Sequence, residues 1–508
     1  MGKSAHSSNK QGIKLLFKAV SDNNKEEVLK IIDGIQDLDA TNEDDKTCLE
    51  IATSNNYFEV AEILLNHGAD INAIGSYGIT SLHIAAFHNN VKAAEFLLSH
   101  GANIIAKGSH GETPLHSAGM KNCQDVAEYL VSKVPTIDIT DNNGATPFMV
   151  AVQCGSEDVA KILISHGANV NAQYEDDETI LHFCAQKNNL EMIKFLMNHN
   201  INLNIQNNEG QTALLKAIFY NQPDTCIYLI ENGADVNIQD KKGKSAIHDA
   251  AKYKRLNYLL EPLLQANANL NLETNNRKTP LHYAAAGGNV EAAEFLLSHG
   301  ANIDATNESG KTPLLVALIH GKTKIADFLI QKGANVSIAD DYSTLHLASI
   351  INDLDLVKSL VSHGASINWK NENGNEPPLL ALILGHDDLV SYYKSLGYQI
   401  PSDFDENEPK VIQAVKYNEF NALIHLIKNG ADIDEQSPTT GMTALHYAAK
   451  LDRKEMIMVF FNTNANPLIK DNNGNIPLDI AQQIEDPTIF KALNIYCIQY
   501  AMSEGVDF

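Results

Sequence analysis

The pattern of apolar and polar residues in this chain has two periods, a short one within segments and a long one between segments. Within a segment, apolar residues recur every three or four positions, as at Val60, Ile63 and Leu64, which predicts one buried face of a helix. Between segments, a small residue returns at long and regular intervals. It stands at the following fifteen positions: Ala19, Ala52, Ala85, Ala118, Ala151, Cys184, Ala217, Ala250, Ala284, Ala317, Ala348, Ala381, Ala414, Ala448 and Ala481.

The interval between these small residues is nearly constant. Eleven of the fourteen spacings are 33 residues, two are 34 and one is 31. Most small residues follow a string of the type TPLH, as at 113–116 and 279–282. Sixteen residues after most of them stands a Gly, such as Gly101 or Gly300, or an Asn, and both accept the left-handed conformation that ends a helix. Each unit is therefore predicted to be a short helix, a tight turn, a longer amphipathic helix and a polar loop.

A single unit of this kind has too little apolar surface to fold alone, so the units must stack on one another. The small residue lies on the short helix, where a larger side chain would push the neighbouring unit away. The alanines at these repeated positions, which form the alanine ladder, are therefore predicted to have a structural role. Among them are Ala85, Ala118, Ala250 and Ala284.

The TPLH strings, the apolar pattern of the second helix and the Gly-Ala-Asp or Gly-Ala-Asn turns resemble the ankyrin repeat. The resemblance covers about residues 13–493. It implies an all-α solenoid of helix–turn–helix units with β-turn loops, in a single elongated, curved array. It also implies that the histidine of the string hydrogen-bonds the neighbouring loop, rather than binding a metal, at positions such as His83, His116, His282 and His446.

The expected organisation has five parts. These are a flexible N-terminus at 1–12, repeats one to twelve at 13–400 with a capping repeat at 13–40, an irregular acidic loop or hinge at 401–409, repeats thirteen to fifteen at 410–493, and a C-terminal tail at 494–508. Because the spacing of 33 is kept from Ala381 to Ala414, the sequence favours a loop inside one stack over a hinge.

The charge balance restricts the kind of partner. The chain has 38 Lys and Arg against 63 Asp and Glu, a formal net charge of −25. Such a surface repels nucleic acids and anionic membranes, and we expect neither nucleic-acid binding nor membrane insertion. Six cysteines without a CxxC pair indicate free thiols in a reducing compartment, so the cytoplasm is the expected location. We expect a monomer without metal or cofactor.

No phosphate-binding loop, zinc-protease motif or kinase signature occurs in the sequence, and the repeats use nearly all of its residues. The sequence therefore predicts a non-catalytic scaffold or adaptor, and the resemblance implies that it binds partner proteins on the concave face of the stack. Two alternatives stay open. One is an effector of an intracellular bacterium or parasite, secreted into a host cell to bind host proteins. The other is the substrate-recognition subunit of a larger enzyme complex.

The resemblance implies that the concave face includes the last residues of each short helix. These positions contain an apolar run in repeats ten to twelve, formed by Ile319, Ile350, Ile351, Ile383 and Leu384. They also contain an aromatic and basic cluster in repeats seven and eight, formed by Phe219, Tyr220, Lys252, Tyr253 and the nearby Arg255. The run predicts a groove for an apolar segment, unless its side chains pack beneath adjacent loops. The cluster predicts a seat for an acidic segment, unless it is an ordinary solvated face.

Overall fold

The computed structural model describes residues 2–75, 78–337, 342–484 and 487–504, with side chains from residue 11 onward. These residues form thirty α-helices and no extended strand; three isolated β-bridges, such as Thr41 with Thr47, close loops. The predicted all-α class is therefore confirmed. The chain divides into two compact units, one formed by 1–246 with 261–268 and the other by 247–260 with 269–508.

Fourteen helices lie wholly within the first unit, in the part of it that the structure describes. They are α1 Gly2–Ser21, α2 Lys25–Ile32, α3 Cys48–Ser54, α4 Phe58–Asn66, α5 Ser81–Phe87, α6 Val91–Ser99, α7 Pro114–Met120, α8 Gln124–Val131, α9 Pro147–Gln153, α10 Glu157–Ser165, α11 Ile180–Lys187, α12 Leu190–Met197, α13 Ala213–Phe219 and α14 Pro223–Glu231. The division between the units runs through the eighth repeat, whose helices are α15 Ala246–Lys252 and α16 Leu260–Gln265.

The second unit continues with the helices of repeats nine to fifteen. They are α17 Pro280–Gly287, α18 Val290–Ser298, α19 Pro313–Ile319, α20 Thr323–Gln331, α21 Thr344–Ile351, α22 Leu354–Ser362, α23 Pro377–Leu384, α24 Asp387–Ser395, α25 Lys410–Lys416, α26 Phe420–Lys428, α27 Ala444–Lys450, α28 Lys454–Asn462, α29 Pro477–Ala481 and α30 Pro487–Glu504.

The short first helices begin where the sequence supplies a cap. Thr47 accepts a hydrogen bond from the backbone N–H of Glu50 at 3.0 Å, and Thr146 does the same for Met149 at 3.3 Å. Proline follows the capping threonine in α7, α9, α17 and α19, where its missing N–H costs nothing. The recurrent Thr-Pro pair is therefore a helix start repeated along the chain.

The small residues lie where first helices of successive repeats touch. Ala118, Ala250 and Ala284 are fully buried, and α5 packs on α7 as α17 packs on α19. The backbones also approach closely at Gly287, where an added Cβ would collide with the carbonyl oxygen of Lys252. Gly101 and Gly300 end second helices with φ of +91° and +90°.

The structure describes a helix at each end of the chain. Residues 2–12, predicted to be flexible, form the first half of α1. The segment after 493, predicted to be a tail, continues as α30 because Leu493, Cys497 and Ala501 recur at i, i+4 and i+8 and are buried. Tyr496 also donates a hydrogen bond to the carbonyl of Ala465 at 2.7 Å. The C-terminal repeat is thus covered by a longer helix.

The buried ladder gives a stability prediction. Ala250→Leu should overpack the contact between first helices and lower the free energy of unfolding by about 1–3 kcal/mol. Ala286→Leu, on a half-buried position of α17, is the matched control and should cost less. Urea unfolding followed by circular dichroism measures both variants. An Ala250→Leu protein as stable as the parent would show that the ladder tolerates bulk.

Candidate protein-binding surfaces

The histidines of the TPLH strings are buried and make the same hydrogen bonds in repeat after repeat. In the second repeated string, the Nδ1 atom of His116 accepts from the backbone N–H of Thr113 at 3.0 Å. Its Nε2–H donates to the carbonyl of Ala145, in the next repeat, at 3.0 Å. One nitrogen accepts and the other donates, so the ring is neutral. The same bridge to the residue 29 positions ahead is formed by His83, His182, His282, His346 and His446.

This arrangement occupies both ring nitrogens and leaves these histidines no role as metal ligands or bases. Burial lowers the pKa of each of these rings, and that of His346 falls to about 4. Among the residues that the structure describes, no group of three or more His, Cys, Asp or Glu side chains is placed to hold a metal ion.

In the first unit, the end of α13 exposes two adjacent aromatic rings. Phe219 is 68% exposed and Tyr220 is 42% exposed, and their ring centroids lie 5.1 Å apart in an edge-to-face contact. The Nζ atom of Lys216 lies 5.7 Å from the centre of the Tyr220 ring. Lys216 is itself held by an ion pair with the half-buried Glu178, at 2.5 Å. Phe219 and Tyr220 therefore form an exposed aromatic surface, in which Lys216 contacts the Tyr220 ring and is itself held by Glu178.

The remaining members of the predicted cluster, Lys252, Tyr253 and Arg255, belong to the second unit. The Tyr253 ring is exposed and has two cations near it, with Lys252 Nζ at 5.1 Å and Arg255 Cζ at 4.9 Å from its centre.

The predicted apolar run is divided by the structure into exposed and buried residues. Ile319 is 47% exposed, and Ile350 and Ile351 are half-buried. Ile383 and Leu384 are buried in a core that also contains Ile412 and Val415. The exposure expected of Ile383 and Leu384 is therefore wrong, because helices of repeat thirteen cover them.

Repeat thirteen covers them because it is inverted relative to repeat twelve. The ammonium of Lys410, at the start of α25, reaches the carbonyl of Leu384, at the end of α23, at 3.5 Å. At the opposite ends of these helices, the amide of Asn375 donates to the carbonyl of Tyr417 at 2.7 Å. The two first helices are thus antiparallel. As a result α26, a second helix, packs against the first helices α21 and α23.

A buried carboxylate joins the inverted repeat to the loops of repeats eleven and twelve. Glu419, which precedes α26, is fully buried. It accepts hydrogen bonds from the hydroxyl of Tyr342 at 2.6 Å and from the amide of Asn371 at 2.8 Å, and the amide of Asn375 also contacts it. Burial and the adjacent Glu419 charge raise the pKa of Tyr342, so the hydroxyl stays a donor.

The inversion leaves a groove between two kinds of helix. It has a volume of about 620 Å³ and lies between α19 and α21 on one side and α26 on the other. Ile319, Ile350 and Ile351 line the first side, while His425 and Lys428 line the second. Three of the five residues of the predicted apolar run therefore face a cleft rather than an open surface.

Comparison with known proteins identifies the family. Ankyrin repeats in three-copy arrays match residues 16–108, 82–174, 172–240, 242–340 and 411–498, and a single ankyrin repeat matches 340–372. Together these matches span most of the chain. The chain belongs to the ankyrin-repeat family.

Relatives share short parts of this ankyrin-repeat chain. An ankyrin repeat protein of Variola virus is 29% identical over 152 residues, which are 24% of this chain and 27% of that protein. The nuclear factor NF-kappa-B p105 subunit of Gallus gallus is 29% identical over 147 residues, 28% of this chain and 15% of the relative. A tyrosine-protein kinase of Hydra vulgaris is 27% identical over 157 residues, 30% of this chain and 21% of the kinase. The chain thus matches at most about a quarter of each relative's length.

Among solved structures, the ankyrin repeat domain of Bcl-3 is similar at 28% identity with a TM-score of 0.37. The similarity covers 40% of this chain and 93% of that domain. None of the described helices of the ankyrin-repeat chain is both long and apolar enough to span a bilayer.

Sequence reasoning located the helix ends but missed the inverted ankyrin repeat and the role of Glu419. One signal was present: the loop of repeat twelve has Asn371, Asn373 and Asn375 in alternation. Their side-chain amides can donate hydrogen bonds to groups outside their own loop, and all three donate to acceptors in the turn at 417–419. The residues that accept these hydrogen bonds lie more than 40 positions further along the chain, so the pattern of the loop alone could not identify them.

The neutral histidine ladder predicts a pH dependence of stability. Because burial lowers the His346 pKa from its ordinary 6.5 to about 4, the unfolded chain binds more protons below pH 6.5. The stabilisation is complete above pH 6.5 and is lost as the pH falls toward 4. At pH 5 this loss should amount to about 2 kcal/mol for His346, and His346→Gln should remove that part of the slope.

Urea unfolding at pH 7, 6 and 5 measures the effect. His363→Gln, at an exposed helix end, is the control and should keep the slope of the parent. A His346→Gln protein with the same pH dependence as the parent would mean that this ring does not titrate as its burial requires.

The Glu419 contacts predict a local loosening. Glu419→Ala leaves the buried donors of Tyr342 and Asn371 without their acceptor, which costs about 1–3 kcal/mol. Limited proteolysis should then cut within 397–410 faster than in the parent or in the exposed control Glu435→Ala. Rapid cleavage of the parent there into two stable halves would instead show that this segment is a hinge.

Proposed function

We propose that the chain is a non-catalytic scaffold that binds a partner protein on the exposed ends of its first helices. Ankyrin repeats are in general protein–protein interaction modules, and the family and fold are generally non-catalytic. The single observation that carries the proposal is the exposed aromatic pair Phe219 and Tyr220. These two large and adjacent rings are exposed rather than buried in the core of the first unit, and a neighbouring lysine contacts one of them.

The free energy gained by burying these two rings would be enough for them to anchor a partner protein. Burying a Phe side chain against a partner gains about 1.5–3 kcal/mol, and an aromatic ring loses little conformational entropy on binding. The edge-to-face contact and the Lys216 ammonium hold the Tyr220 ring in place before binding. Rigid aromatic residues of this kind are enriched among the residues that dominate binding energy.

The same helix position is apolar in another repeat of the first unit. Met120, at the end of α7, is exposed, and the adjacent Lys121 lies 5.4 Å from the centre of the Phe87 ring. Apolar and aromatic side chains thus recur at first-helix ends, next to lysines. This supports a partner with apolar anchors and acidic groups. In the second unit, Tyr253 with Lys252 and Arg255 offers the same chemistry.

The test compares partner binding by three forms of the intact chain. Affinity capture from the cells that make the chain identifies the partner, and titration with that purified partner then gives Kd. Replacing both rings, Phe219→Ala with Tyr220→Ala, should weaken binding by at least about tenfold, or about 1.4 kcal/mol. Met458→Ala, which truncates a 53% exposed side chain on α28, should bind as the parent does.

Thermal unfolding controls for damage to the fold, and neither variant should change it much because the truncated side chains are exposed. If the double variant binds the partner as tightly as the parent does, the aromatic pair is not the anchor. If the chain captures no protein in its native form, the scaffold role itself is refuted.

A further inference from the structure

The groove between α19, α21 and α26 differs from an open first-helix face because a second helix forms one of its sides. Its apolar side carries Ile319, with about half of its side chain exposed, and the half-buried Ile350 and Ile351. On the opposite side, Ile424 is half-buried on α26. The cleft therefore presents branched apolar side chains from two directions, and their unfilled contacts are available to a ligand.

The charge at this groove has the opposite sign to the charge of the chain. The described residues that line it include Lys311, His425 and Lys428 and no carboxylate. Lys428 is exposed in the last turn of α26, where a cation also interacts favourably with the helix dipole. Burial and the nearby Lys428 lower the pKa of His425, so this ring adds no charge at neutral pH. In a chain with a net charge of −25, a cleft whose described lining has two lysines and no carboxylate favours a ligand with negative charge.

The depth of the cleft is fixed by contacts that do not involve the ligand. Glu419 holds the start of α26 against Tyr342 and Asn371 of the neighbouring loops. The core residues Leu423 and Leu426 hold the same helix from beneath. The basic wall and the apolar wall are thus preorganised, which lowers the entropic cost of binding.

We propose that this groove binds a segment of a partner protein in which bulky apolar side chains are flanked by aspartate or glutamate. The apolar side chains pack between Ile319, Ile350 and Ile351, and the carboxylates lie against Lys428. The inference rests on the proposed scaffold role but concerns a surface in the second unit. It can therefore fail while binding at Phe219 and Tyr220 persists.

The test uses a phage-displayed library of random twelve-residue peptides, selected on the full chain. Enriched peptides are synthesised with a fluorescent label, and their Kd is measured by anisotropy. We expect the enriched peptides to combine net negative charge with at least one Leu, Ile, Phe or Trp. Lys428→Glu and Ile319→Ser should each weaken binding by at least about tenfold.

Lys324→Glu is the matched control. It makes the same charge change on the exposed face of α20, outside the groove, and should alter Kd by less than about twofold. Phe219→Ala with Tyr220→Ala should likewise leave peptide binding unchanged, which separates this groove from the aromatic surface. Circular dichroism establishes that each variant is folded.

Three results would overturn the proposal: no enriched peptide, enriched peptides without acidic residues, or equal losses from Lys428→Glu and Lys324→Glu. A loss from Lys428→Glu without any loss from Ile319→Ser would also count against it, since it would identify a surface charge effect without an apolar anchor.

Discussion

Contact between the first helices of neighbouring repeats is the constraint on which the other features depend. Each repeat has an apolar stripe too small to fold alone, so its stability comes from the surface that it buries against the next repeat. Ala118 and Ala284 permit the helices to approach, and the histidine bridge from His116 to Ala145 fixes the next loop. Every such bridge requires a neutral ring, and burial supplies that neutrality.

Because this constraint is local and repeated, most of the fold could be predicted from the sequence. The spacing of 33 residues locates the helices, and the Thr-Pro pairs and Gly101 or Gly300 locate their ends. The same spacing says nothing about the direction in which one repeat stacks on another. Repeat thirteen has the expected Ala414 and Gly430, yet its first helix runs antiparallel to the preceding one. The spacing predicts which helices and turns a repeat contains. The direction in which one repeat stacks on the next depends on contacts between residues that are far apart in the sequence.

Those contacts are polar and specific. Glu419 and Tyr342 are 77 residues apart, and a buried carboxylate has few acceptable environments. The loop around Asn371 and Asn375 provides the donors that satisfy it. An unsatisfied Glu419 would cost more than any single apolar contact in the same interface, so the polar network selects the inverted arrangement. Apolar residues of the two repeats, such as Ile383 and Ile412, pack together next to this polar network.

The candidate sites show the same limit of sequence reasoning. Ile319 and Leu384 both lie at the end of a first helix, but one is 47% exposed and the other 6%. The amphipathic pattern shows that both side chains leave the core of their own repeat. It does not show what covers them, because α26 comes from a repeat whose direction the pattern does not encode.

This inversion also changes what a binding surface can do. A face made only of first helices is open to solvent, where water screens a lysine and weakens its attraction for a carboxylate. The groove beside α26 places Lys428 opposite apolar side chains, so a ligand that fills the cleft displaces water from the neighbourhood of the charge. Electrostatic attraction is stronger in such a partly desolvated site, and it discriminates more sharply between acidic and basic ligands. In the complex proposed here, the reversal of one repeat therefore supplies the second wall that makes the site selective for acidic ligands.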